Sequence, residues 1–164
     1  MHPAAYRFVA AIVSAGQVPP GPVVELGGRD VNGSIRSLFW APYVSVDMEP
    51  GPGVDIVADA ATYAPPQPPA CVVCCEVLEH ALTAPAIVAN AGAMLQPGGL
   101  LIVTAAGAGR APHSAVDGGP LRPGEYYRNV EANDLLCWLA GFVQVRVTTN
   151  RAAGDIYATA RTPR

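Results

Sequence analysis

Apolar residues in this chain fall into short runs punctuated by turn formers, and the runs alternate between helical and strand spacing. The first is helical: residues 3–15 place Tyr6, Ala10 and Val13, or Phe8 and Ile12, on one buried side. VPPGP then breaks the pattern, and PVVELG (22–27) is a brief apolar run bounded by turn formers, as a central parallel strand should be. Ile35, Leu38 and Phe39, at i, i+3 and i+4, predict a short helix over 34–40 that stops at Ala41-Pro42. YVSVD (43–47) and VDIVAD (54–59) read as the second and third strands.

YAPPQPPA, with four prolines, can only be a loop, and it leads into a fourth strand, ACVVCCEV (70–77). Thr83 or Ala84 opens a helix through about residue 95, the turn QPGG follows, and LLIVTAA (100–106) is a fifth strand. Residues 107–128 form a long loop rich in Gly and Pro, of the kind usually kept for function. Asn129 is the expected cap of a helix carrying Leu135, Leu136 and Leu139 and closed by Gly141. FVQVRVTT and GDIYATARTP alternate strictly and are joined by a turn near Asn150, which predicts a terminal hairpin. The order predicts an α/β, Rossmann-like fold: a mainly parallel twisted sheet of about seven strands, helices on both faces and a C-terminal antiparallel hairpin. One domain over 1–164 is expected, with no internal repeat.

Composition narrows the function classes. Half of the 164 residues are apolar (51%) and 14% are charged, which suits a globular chain with a proper core. No apolar run reaches the roughly 18 residues that span a bilayer. The apolar N-terminus lacks a basic start and reads as an amphipathic helix and not a signal peptide, so a cytoplasmic location is the default expectation. All 10 basic residues are arginine, the net charge is −3, and no basic block exists to neutralise nucleic-acid phosphates. Cys71 and Cys74 point to opposite faces of one strand, with Cα atoms about 10 Å apart at ~3.3 Å per residue. That excludes a disulfide between them. Cys137 alone supplies no second zinc-ligand pair, so the thiols are expected in the core and no metal site is expected.

The stretch VVELGGRDVNGS raises the functional question. A carboxylate and two bare glycines stand where a strand hands over, so a close approach to the backbone is expected at Gly27 and Gly28. Ligands of open α/β sheets bind beyond the carboxyl ends of the strands. The residues expected there are Glu25, Asp47, Asp59 and Glu76, with Glu79 and His80 just after. Asp47 ends the second strand, where an acid commonly grips ribose hydroxyls. A dinucleotide pyrophosphate needs bare helix N–H groups and no carboxylates. The acidic rim suits a ligand with a ribose and a cationic end.

These residues carry a resemblance. Val23 to Gly28 resembles the first motif of the class I S-adenosylmethionine-dependent methyltransferases of the small type 11 kind. Val46-Asp47 and Ala58-Asp59-Ala60 are similar to its second and third strand ends. CCEVLEH followed by LQPGGLLIV is similar to its fourth motif and fifth strand. The likeness runs over nearly the whole chain, and the pairing of the last two motifs is its most specific part. It implies S-adenosylmethionine as cofactor: Glu25, Gly27 and Gly28 around the methionine moiety, Asp47 on the ribose hydroxyls, Asp59 with the Ala60 backbone at the adenine edge, and Glu76 beside the cofactor toward the substrate. The family often has E-x-G-x-G, whereas Arg29 stands at the second glycine's place here.

Methyl transfer from a sulfonium needs orientation above all. A base is needed only if the acceptor must lose a proton. His113 in the long loop is the first choice, with Glu79 and His80 the other candidates; His80 reads equally as a structural histidine and His113 as an exposed loop residue. Tyr126 and Tyr127 in that loop stack on substrate or pack on the sheet edge. The expected acceptor is a small molecule, since no substrate domain is present; a large one would have to be met by the loop, a second copy of the chain or a partner subunit. Two other readings stand beside this one. The first is a non-catalytic, methyltransferase-like binding module; the second is a Rossmann NAD(P)-dependent oxidoreductase, which the broken G-x-G-x-x-G spacing disfavours.

Overall fold

The computed structural model describes residues 2–164. Helix α1 (Pro3–Ser14) opens with proline, whose fixed φ suits a first helical turn. It is followed by β1 (Val23–Leu26), β2 (Tyr43–Asp47), β3 (Ile56–Val57), β4 (Cys71–Cys75), α2 (Ala84–Met94), β5 (Leu100–Ala106), α3 (Ala132–Trp138), β6 (Val143–Asn150) and β7 (Asp155–Arg161). The strands form one seven-stranded sheet in the order β3-β2-β1-β4-β5-β7-β6. Pairings among β1 to β5 are parallel, and β7 runs antiparallel to both β5 and β6. The expected α/β class with a terminal hairpin is therefore the observed one.

Two apolar layers flank the sheet. Val24, Leu26, Val72, Cys74, Leu101 and Val103 face α2 and α3, while Val23, Cys71, Val73, Leu100 and Ile102 face α1 and Ile35. All four cysteines are free, and Cys71, Cys74 and Cys75 are buried in β4 as core hydrophobes, Cys74 on one face and Cys71 and Cys75 on the other. Burial pushes the Cys71 thiol up to about 12, so it is inert as a nucleophile. Among the described residues no helix is long and apolar enough to cross a membrane.

Three expectations are corrected. Residues 34–40 form only a single 3-10 turn at Arg36–Leu38, because a lone helical turn does not repay its nucleation cost and Phe39 must extend toward Pro42. Ile35 is nonetheless fully buried, so the apolar spacing there records packing. The third strand keeps two residues of the six expected, since the Asp55 carboxylate turns to accept the Ser45 N–H (2.8 Å) and Asp59 turns to accept that of Ala61 (2.8 Å). The cap of α3 is Glu131, in a reciprocal capping box with Asp134, and the helix ends at Leu139 before Gly141. Asn129 instead donates to the Arg110 carbonyl (3.1 Å), tying the long loop to itself. On α1 the Phe8 and Ile12 side is the one that packs inward: Ile12 is buried, Phe8 stacks on Tyr157, and Ala4, Ala5 and Val9 complete the face.

Candidate functional site

The sheet order reverses between β1 and β4, and the cleft outside their carboxyl ends is where an open α/β sheet takes its ligand. A cavity of about 1360 Å³ opens there. Ligand pockets usually run to about 300–1,000 Å³, so this one has room for two molecules side by side. Glu25, Gly27, Gly28, Asp47, Asp59, Ala60, Glu76, His80 and His113 all line it. Glu79 does not; it is fully buried behind the wall.

The two glycines are explained by the protein's own packing. Gly27 sits at φ +77°, and a Cβ on it would come within 2.1 Å of Val77 Cγ2. A Cβ on Gly28 would come within 2.0 Å of Ser45 Oγ and 2.5 Å of Glu25 Oε2. What approaches the backbone so closely is therefore the Val77, Ser45 and Glu25 side chains. No α-helix follows: after Gly28 the chain is irregular until the 3-10 turn at Arg36–Leu38, so no row of helix N–H groups awaits a pyrophosphate.

The acidic rim divides into three carboxylates without an ion pair and one that faces a guanidinium. Glu25 is 3% exposed, and burial is the main cause that holds its carboxyl above the ordinary range. Asp47 accepts the Arg29 N–H at Oδ2 (3.1 Å) and the Glu49 N–H at Oδ1 (3.0 Å), which orients it and leaves a lone pair on each oxygen. Asp59 is exposed at the cavity edge with Ala60 buried beside it. Glu76 breaks the strand: its φ of +58° is left-handed, a cost of about 1–2 kcal/mol for a residue with a Cβ. It is held there by Thr104 Oγ1, which donates to Oε1 (3.0 Å), and by Arg110, whose guanidinium lies 3.6 Å from Oε2.

Arg110 was not foreseen from the sequence. It pairs with the fully buried Asp155 as well as with Glu76, and Asp155 also meets His2 Nδ1 (3.0 Å) and accepts the Tyr157 hydroxyl (2.8 Å). A lone arginine in a Gly/Pro-rich loop gives no signal of its own; the buried partner at the head of β7 becomes visible only once the strands are assembled. Arg29, the departure from E-x-G-x-G, reaches across to the Ala115 carbonyl (3.2 Å) and fastens the long loop over the cavity. Met48 and Leu82, both largely exposed, supply apolar wall that the acid-centred reading passed over.

The far side of the cavity carries an imidazole pair. The His80 and His113 rings meet edge-to-face at 4.9 Å, and Tyr127 contacts both edge-on at 5.4 and 5.1 Å. Tyr127 thus packs on the histidines, while Tyr126 lines the cavity. Burial, followed by His113, lowers His80 to about 4, so it is neutral near pH 7. Burial, followed by the Glu76 charge, pushes Glu79 up to about 8. Glu79 Oε1 accepts the Ala106 N–H (3.0 Å) while Oε2 has no partner.

Comparison with protein-family models and with curated proteins yields no match. Solved structures share the fold. One is the 1,6-didemethyltoxoflavin-N1-methyltransferase of Burkholderia thailandensis, with 1,6-didemethyltoxoflavin and S-adenosylhomocysteine bound: TM-score 0.70, 18% identity, 98% of this chain and 79% of that one. A second is an amino pentose methyltransferase from Micromonospora echinaspora with SAM bound: TM-score 0.69, 16% identity, 97% and 91%. A third is the S-adenosylmethionine-dependent methyltransferase SibL in its apo form: TM-score 0.72, 19% identity, 98% and just over half (55%) of that chain. The architecture is therefore the one these methyltransferases share.

Proposed function

We propose that the chain transfers the methyl group of S-adenosylmethionine to a small-molecule acceptor, with the donor across Glu25, Asp47 and Asp59 and the acceptor against His80, His113 and the long loop. The observation that carries this reading is Asp47: an oriented carboxylate at the end of β2, facing the cavity with one spare lone pair on each oxygen. That is the acceptor set a ribose diol requires. The buried Glu25 carboxyl offers a counter-charge to a ligand's ammonium or sulfonium, and the missing helix after β1 speaks against a pyrophosphate. The cofactor supplies an already activated methyl group. The chain then has to orient, exclude water and, where the acceptor carries a proton, remove it.

His113 is the base in this reading. Its Nδ1 lies 3.1 Å from the Ala111 carbonyl, so the proton sits on Nδ1 and the lone pair on Nε2. Glu79 is a neutral acid at pH 7 and His80 a neutral imidazole, so both shape the acceptor side without taking the proton. Gly27 and Gly28 set the turn, and Arg110, shared with Asp155, holds Glu76 in place beside the substrate side.

Calorimetry with S-adenosylmethionine, S-adenosylhomocysteine and NAD tests the assignment. Both sulfur compounds are expected to bind, and NAD is not. Asp47→Ala should weaken the sulfonium by about 10- to 150-fold, the value of roughly 1.5–3 kcal/mol in lost hydrogen bonds to a charged group. NAD binding with none of the sulfur compounds would reverse the proposal.

A further inference from the structure

We propose that Glu79, His80 and His113 form a binding site for a divalent transition metal ion of the zinc class. Each residue offers one ligand atom, and these atoms all lie within 4.8 Å of one another. Two come from the 3-10 turn Leu78–His80 after β4, and the third from the long loop.

Each side chain is already set as a ligand. Glu79 has no exposed surface, its Oε1 is fixed by the Ala106 N–H, and its Oε2 meets no donor. A fully buried carboxyl oxygen without a partner is costly, and a cation in place of the acid proton would complete it. His80 Nδ1 is likewise buried without a partner. The Ala111 carbonyl holds the proton of His113 on Nδ1 and so leaves Nε2 as the donor atom. A backbone carbonyl behind an imidazole and an N–H behind a carboxylate are the outer contacts that metal ligands use.

Two imidazoles and one carboxylate are a donor set for zinc and its first-row neighbours, and not for calcium or magnesium. Bonds of about 2.0–2.2 Å in a tetrahedron put ligand atoms roughly 3.5 Å apart, so the present spread must close by about an ångström. His113, on an irregular loop and partly exposed, can supply that movement. Because His80 and His113 line the cavity and Glu79 lies behind it, the fourth position faces the acceptor side. With a metal bound, His113 would be a ligand in place of its role as base, and an acceptor oxygen in the fourth position would release its proton to solvent before taking the methyl group. That last step rests on the methyl-transfer reading; metal binding does not.

The test is titration of the full chain with Co²⁺, followed by visible absorption, and with Zn²⁺, followed by calorimetry, both without S-adenosylmethionine. A single equivalent with the intense d–d bands of four- or five-coordinate cobalt is expected. His113→Ala and Glu79→Gln should each lower the affinity at least about 100-fold, since loss of an outer-shell partner alone costs 10–100-fold. Cys137→Ser, which removes the exposed thiol, should leave the binding intact. A weak octahedral cobalt spectrum, or affinity unchanged in both His113→Ala and Glu79→Gln, would overturn the site. Either result leaves S-adenosylmethionine calorimetry untouched, so the two proposals fail separately.

Discussion

Replacing Gly27 with alanine separates two explanations of the glycine pair. If the glycines serve the protein's own packing, the cost falls on stability. The new Cβ would lie 2.1 Å from Val77 Cγ2 and the residue would keep φ near +77°. A left-handed Cβ costs about 1–2 kcal/mol and overpacking about 1–3, so Gly27→Ala should lose about 2–5 kcal/mol. Urea denaturation measures it directly. In a Val77→Ala background the clash is gone and only the backbone part, about 1–2 kcal/mol, should remain. The coupling between the two sites is then about 1–3 kcal/mol, well above the usual additivity error. Gly27→Ala within about 0.5 kcal/mol of wild type, the scatter of a surface substitution, would refute the packing account. If that variant also lost S-adenosylmethionine binding, the glycine would be there for the ligand.

Three further outcomes follow, two from buried charges and one from the loop histidine. Arg110→Ala leaves Asp155 buried with only His2 and Tyr157 beside it, and should cost about 3–5 kcal/mol by denaturation; adding Asp155→Asn should recover part of that loss. Glu25 holds its proton more tightly folded than unfolded, above its ordinary 4.5, mainly through burial and against the weaker pull of Tyr43 and Arg36. Its contribution to stability is therefore fully present at acid pH and lost as pH rises through the folded value. Glu25→Gln should be more stable than wild type at neutral pH, with the difference vanishing below the carboxylate range when urea midpoints are compared across pH. His113→Ala should lower turnover by about 10²–10⁴ on an acceptor that loses a proton while leaving S-adenosylmethionine affinity unchanged, a split that steady-state kinetics and calorimetry read separately.

The elements legible from sequence are those whose ends are written in local chemistry. Strands β2 and β5 begin and end at the expected residues because Pro42 and Gly99 close one side and polar or glycine positions the other. Residues 34–40 misled because Ile35, Leu38 and Phe39 have helical spacing, yet the segment is too short to hold more than one turn. Asn129 misled because its side chain was claimed by a loop carbonyl, while Glu131 and Asp134 completed each other two residues later. At Asn129 a contact from a distant part of the loop outbid a local preference, whereas at residues 34–40 the local length was decisive. On the rim, Asp47 and Asp59 follow from strand ends alone. Glu79 does not: adjacent to the lining His80, it points inward and takes its backbone partner from β5.

The charge pattern also differs from a uniform acidic rim in a way that bears on turnover. Arg110 lies between Glu76 and the buried Asp155 and offsets part of their charge, while Glu25, Asp47 and Asp59 have no ion-pair partner, and the side that holds His80 and Glu79 carries a neutral imidazole and a neutral acid near pH 7. In the methyl-transfer reading this asymmetry favours a cation in one half of the cavity only. The sulfonium is that cation, and its charge is lost when the methyl group leaves. The demethylated product then keeps its ribose contacts to Asp47 and its ammonium, but forfeits the part of the Glu25 attraction that acts on the sulfonium, an attraction strengthened by burial at 3% exposure. Binding energy so arranged is stronger before transfer than after it, and Glu25→Gln should narrow the gap in affinity between donor and product by weakening the donor more than the product.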